Sequence, residues 1–367
     1  MRRVATTPSA HHDFVHDALP MRVVFGAGRL ATLPAEVERL GLARVLVLSP
    51  GQEDLARAVV DLLGGRAAGL FAGARMHVPV EDAAAAAGRA HDLGADGCVA
   101  VGGGSTIGLA KAVALRHGLP VVAVPTTYAG SEMTPIWGLT AHGIKRTGRD
   151  RVVLPRTVVY DPELTLSLPV ELSVTSGLNA VAHAVEGLWA PDGSPITALM
   201  AEEGVRLLAT SLPAVVASPR DPGARAAVLQ GAWLCGAVLG ATRMSLHHQL
   251  CHVLGGGFDL PHAAVHAVLL PHVVAYVAPA APVATAAIGR ALGVRGEPAA
   301  VTDALAELGR GLGAPDALAS LGMPTDGIPW VVDQVLAAPH ADPRPIGAGE
   351  LTALLERALR GDAPTTA

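Results

Sequence analysis

From Met21 to about Pro169, short β-rich runs alternate with longer stretches dominated by Ala and Leu. The runs Arg22–Phe25, Arg44–Leu48, Gly69–Ala72, Gly97–Val101, Val121–Pro125 and Thr157–Tyr160 read as strands. Between them, Arg29–Leu40, Leu55–Leu63, Val80–Leu93 and Ser105–Arg116 read as helices, each ended by Gly or a turn. Strand alternating with helix predicts a mostly parallel sheet covered on both faces. From Val170 the pattern changes to helix alone, over 171–188, 195–217, 222–241, 263–277, 282–292, 299–312, 327–338 and 347–360. The expected organisation is a loose leader over 1–20, an α/β domain over 21–165 and an all-helical domain over 166–367.

Composition narrows the class. A chain of 367 residues exceeds what one core usually serves, which agrees with two domains. Half of it is hydrophobic and 16% is charged, so a largely disordered chain is excluded. The 27 basic and 32 acidic residues give a net charge of −5 with no basic block. Nucleic acid and anionic membranes are therefore not expected partners. Three scattered cysteines, Cys98, Cys235 and Cys251, form no C-x-x-C pair and suit a reduced, cytoplasmic protein. The most apolar window, Val273 to Gly289, is broken by Pro279 and Pro282, so no membrane span is expected, and Met1-Arg2-Arg3 leads into no signal-like segment.

Two loops suggest a nucleotide. The strand ending at Val101 runs into Gly102-Gly103-Gly104-Ser105 and then a helix, a junction where backbone N–H groups and the helix dipole meet an anion. A plain tight turn explains that motif equally well on its own. The next strand ends in Pro125-Thr126-Thr127-Tyr128-Ala129-Gly130-Ser131-Glu132, placing Thr126, Thr127 and Ser131 where open α/β sheets bind ligands. Gly26-Ala27-Gly28 is a weaker third candidate. After the Arg44–Leu48 strand come Ser49 and Gly51, with no acid to grip a ribose, so strict NADH preference is not indicated.

The helical half holds a histidine pattern. Asn179 and His183 are four apart, as are His248 and His252, and His262 opens a helix after Pro261. A lone histidine in an apolar helix is usually structural. Four at these spacings in Ala/Leu/Gly surroundings could bind a metal, donate protons or hold a carboxylate. His11, His12, His142 and His340 lie in loop-like sequence and receive no role.

These segments, with Asp161-Pro162-Glu163-Leu164, together resemble the iron-containing alcohol dehydrogenase superfamily over nearly the whole chain. Thr126 through Gly138 and Leu246 through Gly256 look like its maleylacetate reductase branch. The resemblance implies the dehydroquinate synthase-like fold, with a dinucleotide-binding α/β domain, a helical domain and a cleft between them. It implies NADH- or NADPH-dependent reduction of maleylacetate to 3-oxoadipate in aromatic degradation, by a homodimer, and leaves chlorinated maleylacetates open as further substrates. In metal-dependent relatives an Asp and three His bind iron or zinc; the matching positions are Asn179, His183, His248 and His262. Asn179 replaces the anionic ligand, so the metal is expected to be dispensable. Gly108, where alcohol dehydrogenases place Asp, and Gln249, where the branch favours Lys, are two further departures.

Hydride attack on the alkene carbon beside the carboxylate leaves an enolate on the ketone oxygen. Imidazoles aimed at that oxygen can stabilise it. His252 and His248 are the expected oxyanion partners or proton donors, with His183, His262 and Asn179 completing the group. A dianionic substrate also needs cations: Lys145, which the resemblance puts beside the nicotinamide ribose, then Arg243 and His247. Arg146 and Arg149 read better as solvated charges, and Arg344 is a weak candidate. The competing readings are a metal-dependent alcohol dehydrogenase or aldehyde reductase on this scaffold, and a non-catalytic nucleotide-binding protein.

Overall fold

The computed structural model describes residues 14–51, 53–141, 144–338 and 341–366. His11, His12, His142, His340 and most of the expected leader lie outside the described residues.

The first half runs β1 (Arg22–Phe25), α1 (Leu33–Arg39), β2 (Val45–Ser49), α2 (Glu53–Leu63), β3 (Ala67–Ala72), α3 (Val80–Asp92), β4 (Gly97–Gly102), α4 (Gly104–His117), β5 (Val121–Pro125), β6 (Ile136–Ala141), β7 (Ile144–Arg149) and β8 (Thr157–Tyr160). Six strands form one parallel sheet in the order β1-β8-β5-β4-β2-β3. The period of two sorts its central strands between two cores. Leu46, Leu48, Cys98, Ala100, Val121 and Ala123 face α3 and α4 and merge with the helical half. Val45, Val47, Val99, Val101, Val122 and Val124 face α1 and α2 through Leu33, Val37, Val59 and Leu63. Each buried Val or Leu contributes roughly 1.5–3 kcal/mol, which is why this sheet was readable as apolar runs.

The hairpin β6–β7 was not expected from the pattern. It is a separate antiparallel pair in which Trp137 lies opposite Gly148 and Thr140 opposite Lys145. The indole covers Gly148 so closely that a Cβ there would sit 2.5 Å from it.

The second half is helical: α5 (Val170–Gly187), α6 (Pro195–Ala217), α7 (Pro222–Ala241), α8 (Leu246–Phe258), α9 (His262–Val277), α10 (Pro282–Leu292), α11 (Pro298–Gly311), α12 (Ile328–Leu336) and α13 (Ala348–Arg360). Starts are chemically marked: Ser194 and Thr197 form a capping box before Pro195, and Asp221 caps α7 before Pro222. α5 is buried almost all round and is the axis of this domain. α8 was absent from the sequence-based helices. Its Leu246, Leu250 and Leu254 make a buried stripe, and Asp342 caps it by accepting from Leu246 N at 3.1 Å and from the Ser245 hydroxyl.

Two expectations need correction. α7 and the segment His262–Ala280 are long and apolar enough to cross a bilayer, although the sequence reading found no such stretch. Both are mostly buried inside the helical domain, which accounts for their apolar surface. Residues 14–20 are anchored rather than loose: Asp17 pairs with Arg151, and His16 Nδ1 lies 3.1 Å from Ser194 Oγ.

Candidate active site

β2 is followed by a neighbour on one side, β3, and the chain then returns to its other side with β4. The carboxyl ends of β2 and β4 therefore flank a topological switch point, the usual ligand crevice of such sheets. Gly102 sits there with φ of 152°; a Cβ would lie 2.5 Å from Thr106 Oγ1 and 3.1 Å from Pro50 Cδ. Gly103 and Gly104 meet the following loop, with prospective Cβ contacts of 3.0 Å to Thr127 and 3.2 Å to Ala129. Thus the two loops singled out in the sequence pack against each other. Ser105 lies in the first turn of α4, and the Ser49 and Thr106 hydroxyls nearby are buried without a hydrogen-bond partner. N–H groups at the α4 start, unpartnered hydroxyls and missing side chains could hold a dinucleotide phosphate. The third glycine turn has a structural explanation instead: Asp161 accepts from Gly28 N at 3.2 Å and Leu30 N at 2.9 Å.

The loop after β5 then enters the helical domain. Gly130 has φ of 75°, and its prospective Cβ lies 3.0 Å from Gly236 Cα on α7. Only a residue without a side chain permits both the turn and this approach. Tyr128 N donates to Ser176 Oγ at 2.9 Å, and the buried Arg225 donates to Tyr128 OH and Ser173 Oγ at 3.1 and 2.7 Å. Lys111 fixes the far end, donating to the carbonyls of Ser131, Thr134 and Ile136 at 2.6 to 2.8 Å. Ser131 thus lies at the domain joint with its carbonyl held by this ammonium. Burial lowers Lys111 to about 7, and Glu132, raised by burial, accepts from Tyr160 OH at 2.7 Å.

Into this joint project six histidines. His183 on α5 contacts the Ala129 carbonyl through Nε2 at 3.2 Å and His248 Nε2 through Nδ1 at 2.7 Å. His248 Nδ1 bonds Glu186, whose other oxygen accepts from His247 N at 2.9 Å. Asn179, His183 and Glu186 follow one another at helical spacing on α5. A carbonyl only accepts, so His183 Nε2 carries its hydrogen, His183 Nδ1 accepts from His248 Nε2, and Glu186 and His248 Nδ1 share one proton. On the other side, His252 and His262 stack with centroids 5.7 Å apart, and His262 Nε2 lies 3.2 Å from His266 Nε2. His183, His247, His248 and His266 are buried; His252 and His262 are half-buried and form the accessible face. Burial pushes His183, His247, His248 and His252 down to about 3 and His262 and His266 well below their usual value. The imidazoles are therefore neutral at pH 7, not cationic.

Lys145 lies across Gly138 in the hairpin, half-buried, and its charge acts on His252 and His262. Two expected substrate contacts are not brought here. Arg243 is exposed and held by Asp192 through Nε at 3.0 Å. His247 is buried behind the accessible face, with Nε2 2.8 Å from His266 Nδ1. Arg149 donates to the carbonyls of Gly240 and Thr242 at the end of α7, and Arg344 stacks on Tyr276. Gln249 donates to Val335 O at 2.7 Å near the end of α12, so this departure serves packing. Gly108 leaves room for Val78, whose Cγ2 would be 2.8 Å from a Cβ. Glu186 is the residue that sequence reasoning missed; its signal was a lone charge in Ala182-His183-Ala184-Val185-Glu186-Gly187.

The donor types of Asn179, His183, His248 and His262 suit a divalent ion. The imidazoles are neutral, as ligands must be, and Asn179 Oδ1 is buried without a partner. His183 and His248 would have to give up their mutual hydrogen bond. The set contains no anionic ligand; Glu186 stands behind His248 as the acceptor that would take its Nδ1 proton if Nε2 held an ion. Among the described residues, the group whose donor atoms lie within 4.8 Å of one another is His247, Cys251 and His266, but burial holds the Cys251 thiol protonated.

An α/β nucleotide crevice joined to a helical domain that carries this histidine cluster defines a dehydrogenase-type site. The chain belongs to the iron-containing alcohol dehydrogenase family. Its residues 20–162 match the iron-containing alcohol dehydrogenase model, and residues 173–359 match the C-terminal model of the Fe-containing alcohol dehydrogenase family. The maleylacetate reductase of Sphingobium indicum is 56% identical over 356 residues, 97% of this chain and 100% of the relative. The crystal structure of maleylacetate reductase from Agrobacterium tumefaciens is 50% identical, with a TM-score of 0.91 and 96% and 99% of the two chains covered. A putative alcohol dehydrogenase from Ralstonia eutropha JMP134 superposes with a TM-score of 0.93 at 54% identity, covering 96% and 99%. The expected branch and fold class are borne out, and the chain is an NAD(P)-dependent oxidoreductase.

Proposed function

We propose that the chain reduces the carbon–carbon double bond of maleylacetate with NADH or NADPH, giving 3-oxoadipate. The observation that carries this reading is the stacked His252–His262 pair, the accessible side of a buried neutral cluster, beside Lys145. The near-full-length likeness to maleylacetate reductases supplies the substrate.

Hydride from the nicotinamide forms a C–H bond at the alkene carbon next to the carboxylate. The π electrons move onto the conjugated ketone, giving an enolate, and a proton then reaches the adjacent carbon. His252 and His262, as neutral N–H donors, hold the enolate oxygen without losing their own proton to solvent. The proton comes from solvent water through His252, which takes it on one ring nitrogen as it releases the other nitrogen's proton to the carbon, so the imidazole ends neutral. His248, His183 and Asn179 brace this pair through the bonds to Ala129 and Glu186. Lys145 neutralises charge where cofactor and substrate meet, and Gly102, Gly103, Gly104, Ser105, Thr126, Thr127 and Ser131 form the dinucleotide side.

A divalent ion on Asn179, His183, His248 and His262 would polarise the ketone oxygen when bound. With no anionic ligand and an enone that needs little polarisation, we infer that the reaction proceeds without it. The same reading makes the enzyme a cytoplasmic homodimer whose partners are a small dicarboxylate and a nicotinamide dinucleotide, with no nucleic acid or membrane.

The test mixes purified protein, maleylacetate and NADH or NADPH, following nicotinamide absorbance and product, before and after chelation. Stoichiometric 3-oxoadipate is expected in both cases. No consumption overturns the function; loss on chelation with recovery on added iron or zinc overturns the metal-independent step.

A further inference from the structure

His247, His266 and His262 form a line from the closed interior to the accessible face of the cluster. His247 is 1% exposed, His266 is fully buried and His262 is half-buried. His247 Nε2 lies 2.8 Å from His266 Nδ1, and His266 Nε2 lies 3.2 Å from His262 Nε2. At the inner end, His247 Nδ1 is buried without a hydrogen-bond partner. Cys251 Sγ stands 3.7 Å from the same His247 Nε2 that meets His266. Helical spacing builds the line: His247 and Cys251 are four apart on α8, and His262 and His266 are four apart on α9. Reduction through His252 and His262 uses neither of the two inner rings directly.

Burial keeps the three rings neutral. A neutral imidazole carries one N–H and one in-plane lone pair, so both contacts are hydrogen bonds only if the three rings point the same way along the line. Run inward, from His262 to His266 to His247, the hydrogens would leave His247 with a buried Nδ1–H and no acceptor. His247 Nε2 would also offer one lone pair to two donors, the His266 N–H and the Cys251 thiol. Run outward, His247 Nε2–H donates to His266 Nδ1, with the sulfur as a second, weak acceptor, and His266 Nε2–H donates to His262 Nε2. Only a lone pair is then unmet at the buried end, and an orphaned buried N–H is the rarer defect of the two. The outward direction therefore holds.

That direction fixes His262. Its Nε2 accepts, so its hydrogen is on Nδ1. Among the described residues Nδ1 makes no hydrogen bond, and it borders Gly255, where a Cβ would lie 3.8 Å away and no side chain stands. We propose that His247 and His266 are positioning residues that lock His262 as its Nδ1–H tautomer, so that the ring presents a donor to the oxygen that becomes negative. The identity of that oxygen rests on the maleylacetate reading; the tautomer follows from the hydrogen bonds. A lone pair aimed at an enolate would repel it, so the other tautomer forfeits the stabilisation this ring gives.

The test reads the tautomer in ¹⁵N-histidine-labelled protein, the His262 signals being those lost in His262→Gln. Two-bond ¹⁵N–¹H correlations separate protonated Nδ1 from protonated Nε2, and Nδ1–H is expected. Two variants at 266 then distinguish the relay from packing. The amide of Gln occupies the place of Nε2 and can donate to His262, whereas that of the shorter Asn stays near the place of Nδ1. His266→Asn is expected to lower kcat about tenfold, as for one lost hydrogen bond, with the KM for maleylacetate and NADH affinity within about twofold. It is also expected to leave His262 a mixture of tautomers. His266→Gln is expected to keep Nδ1–H and to stay within about threefold of wild-type kcat. An Nε2–H His262 in the wild type overturns the relay without need of any variant. So does an Asn variant that retains tautomer and kcat, or a Gln variant no better than Asn. If the wild type fails to consume maleylacetate, the functional reading falls, and the His262 tautomer still judges the relay.

Discussion

Glu186 and His248 share a hydrogen bond in a place closed to water, Glu186 being 1% exposed, while the second Glu186 oxygen accepts from the backbone of His247. One carboxylate thereby sets both the ring orientation of His248 and the position of the first turn of α8. Replacing it by Gln preserves volume but puts a fixed NH2 donor where the shared proton lay, so His248 can no longer pass that proton to position 186. Glu186→Gln is expected to lower kcat by about 10- to 100-fold with NADH affinity unchanged. Steady-state kinetics, NADH titration and the ¹⁵N shifts of the His248 ring check this; a kcat within twofold of wild type removes Glu186 from the positioning role.

Restoring the anionic ligand gives a second expectation. Asn179→Asp places a carboxylate beside three neutral imidazoles, which should tighten Zn²⁺ by about tenfold or more, roughly 1.4 kcal/mol at least. Competition titration against a chelator measures it. An unchanged dissociation constant would mean that Asn179 is not what limits ion binding.

The cluster also predicts how stability responds to acid. In the folded chain His183, His247, His248 and His252 protonate only near 3, against 6.5 for an unperturbed imidazole. Below about 6.5 the unfolded chain therefore holds more protons than the folded one, and unfolding is favoured. Stability is complete above that pH and falls as pH drops, by up to about 1.4 kcal/mol per unit for each such ring. Urea midpoints between pH 7.5 and 5.5, above the carboxylate range, should decline; a flat profile would show that the rings are already accessible to protons.

Much of this was legible beforehand because its causes are local. The six sheet strands are apolar runs, since both their faces are covered, and the glycine turns and Asn179–His183 spacing survive as written motifs. Ile144–Arg149 escaped notice because its residues are largely polar, and its cross-strand cover, Trp137 on Gly148, is visible only after pairing. α8 was hidden by three histidines and three glycines that interrupt its leucine stripe. His247 and Arg243 were misplaced for a geometric reason. Adjacent residues on a helix point about 100° apart, so lying next to His248 in sequence put His247 behind the cluster. Glu186 was overlooked because a carboxylate in an apolar helix announces a partner without naming it.

The bare contact between Gly130 and Gly236 ties two properties together. The peptide that turns there also presents the carbonyl that orients His183, so the joint between the halves and the tuning of the chemistry are one adjustment. A methyl group at either glycine would displace the seam and the imidazole at once. Redesign aimed at loosening the halves must therefore start elsewhere, or accept an altered reaction.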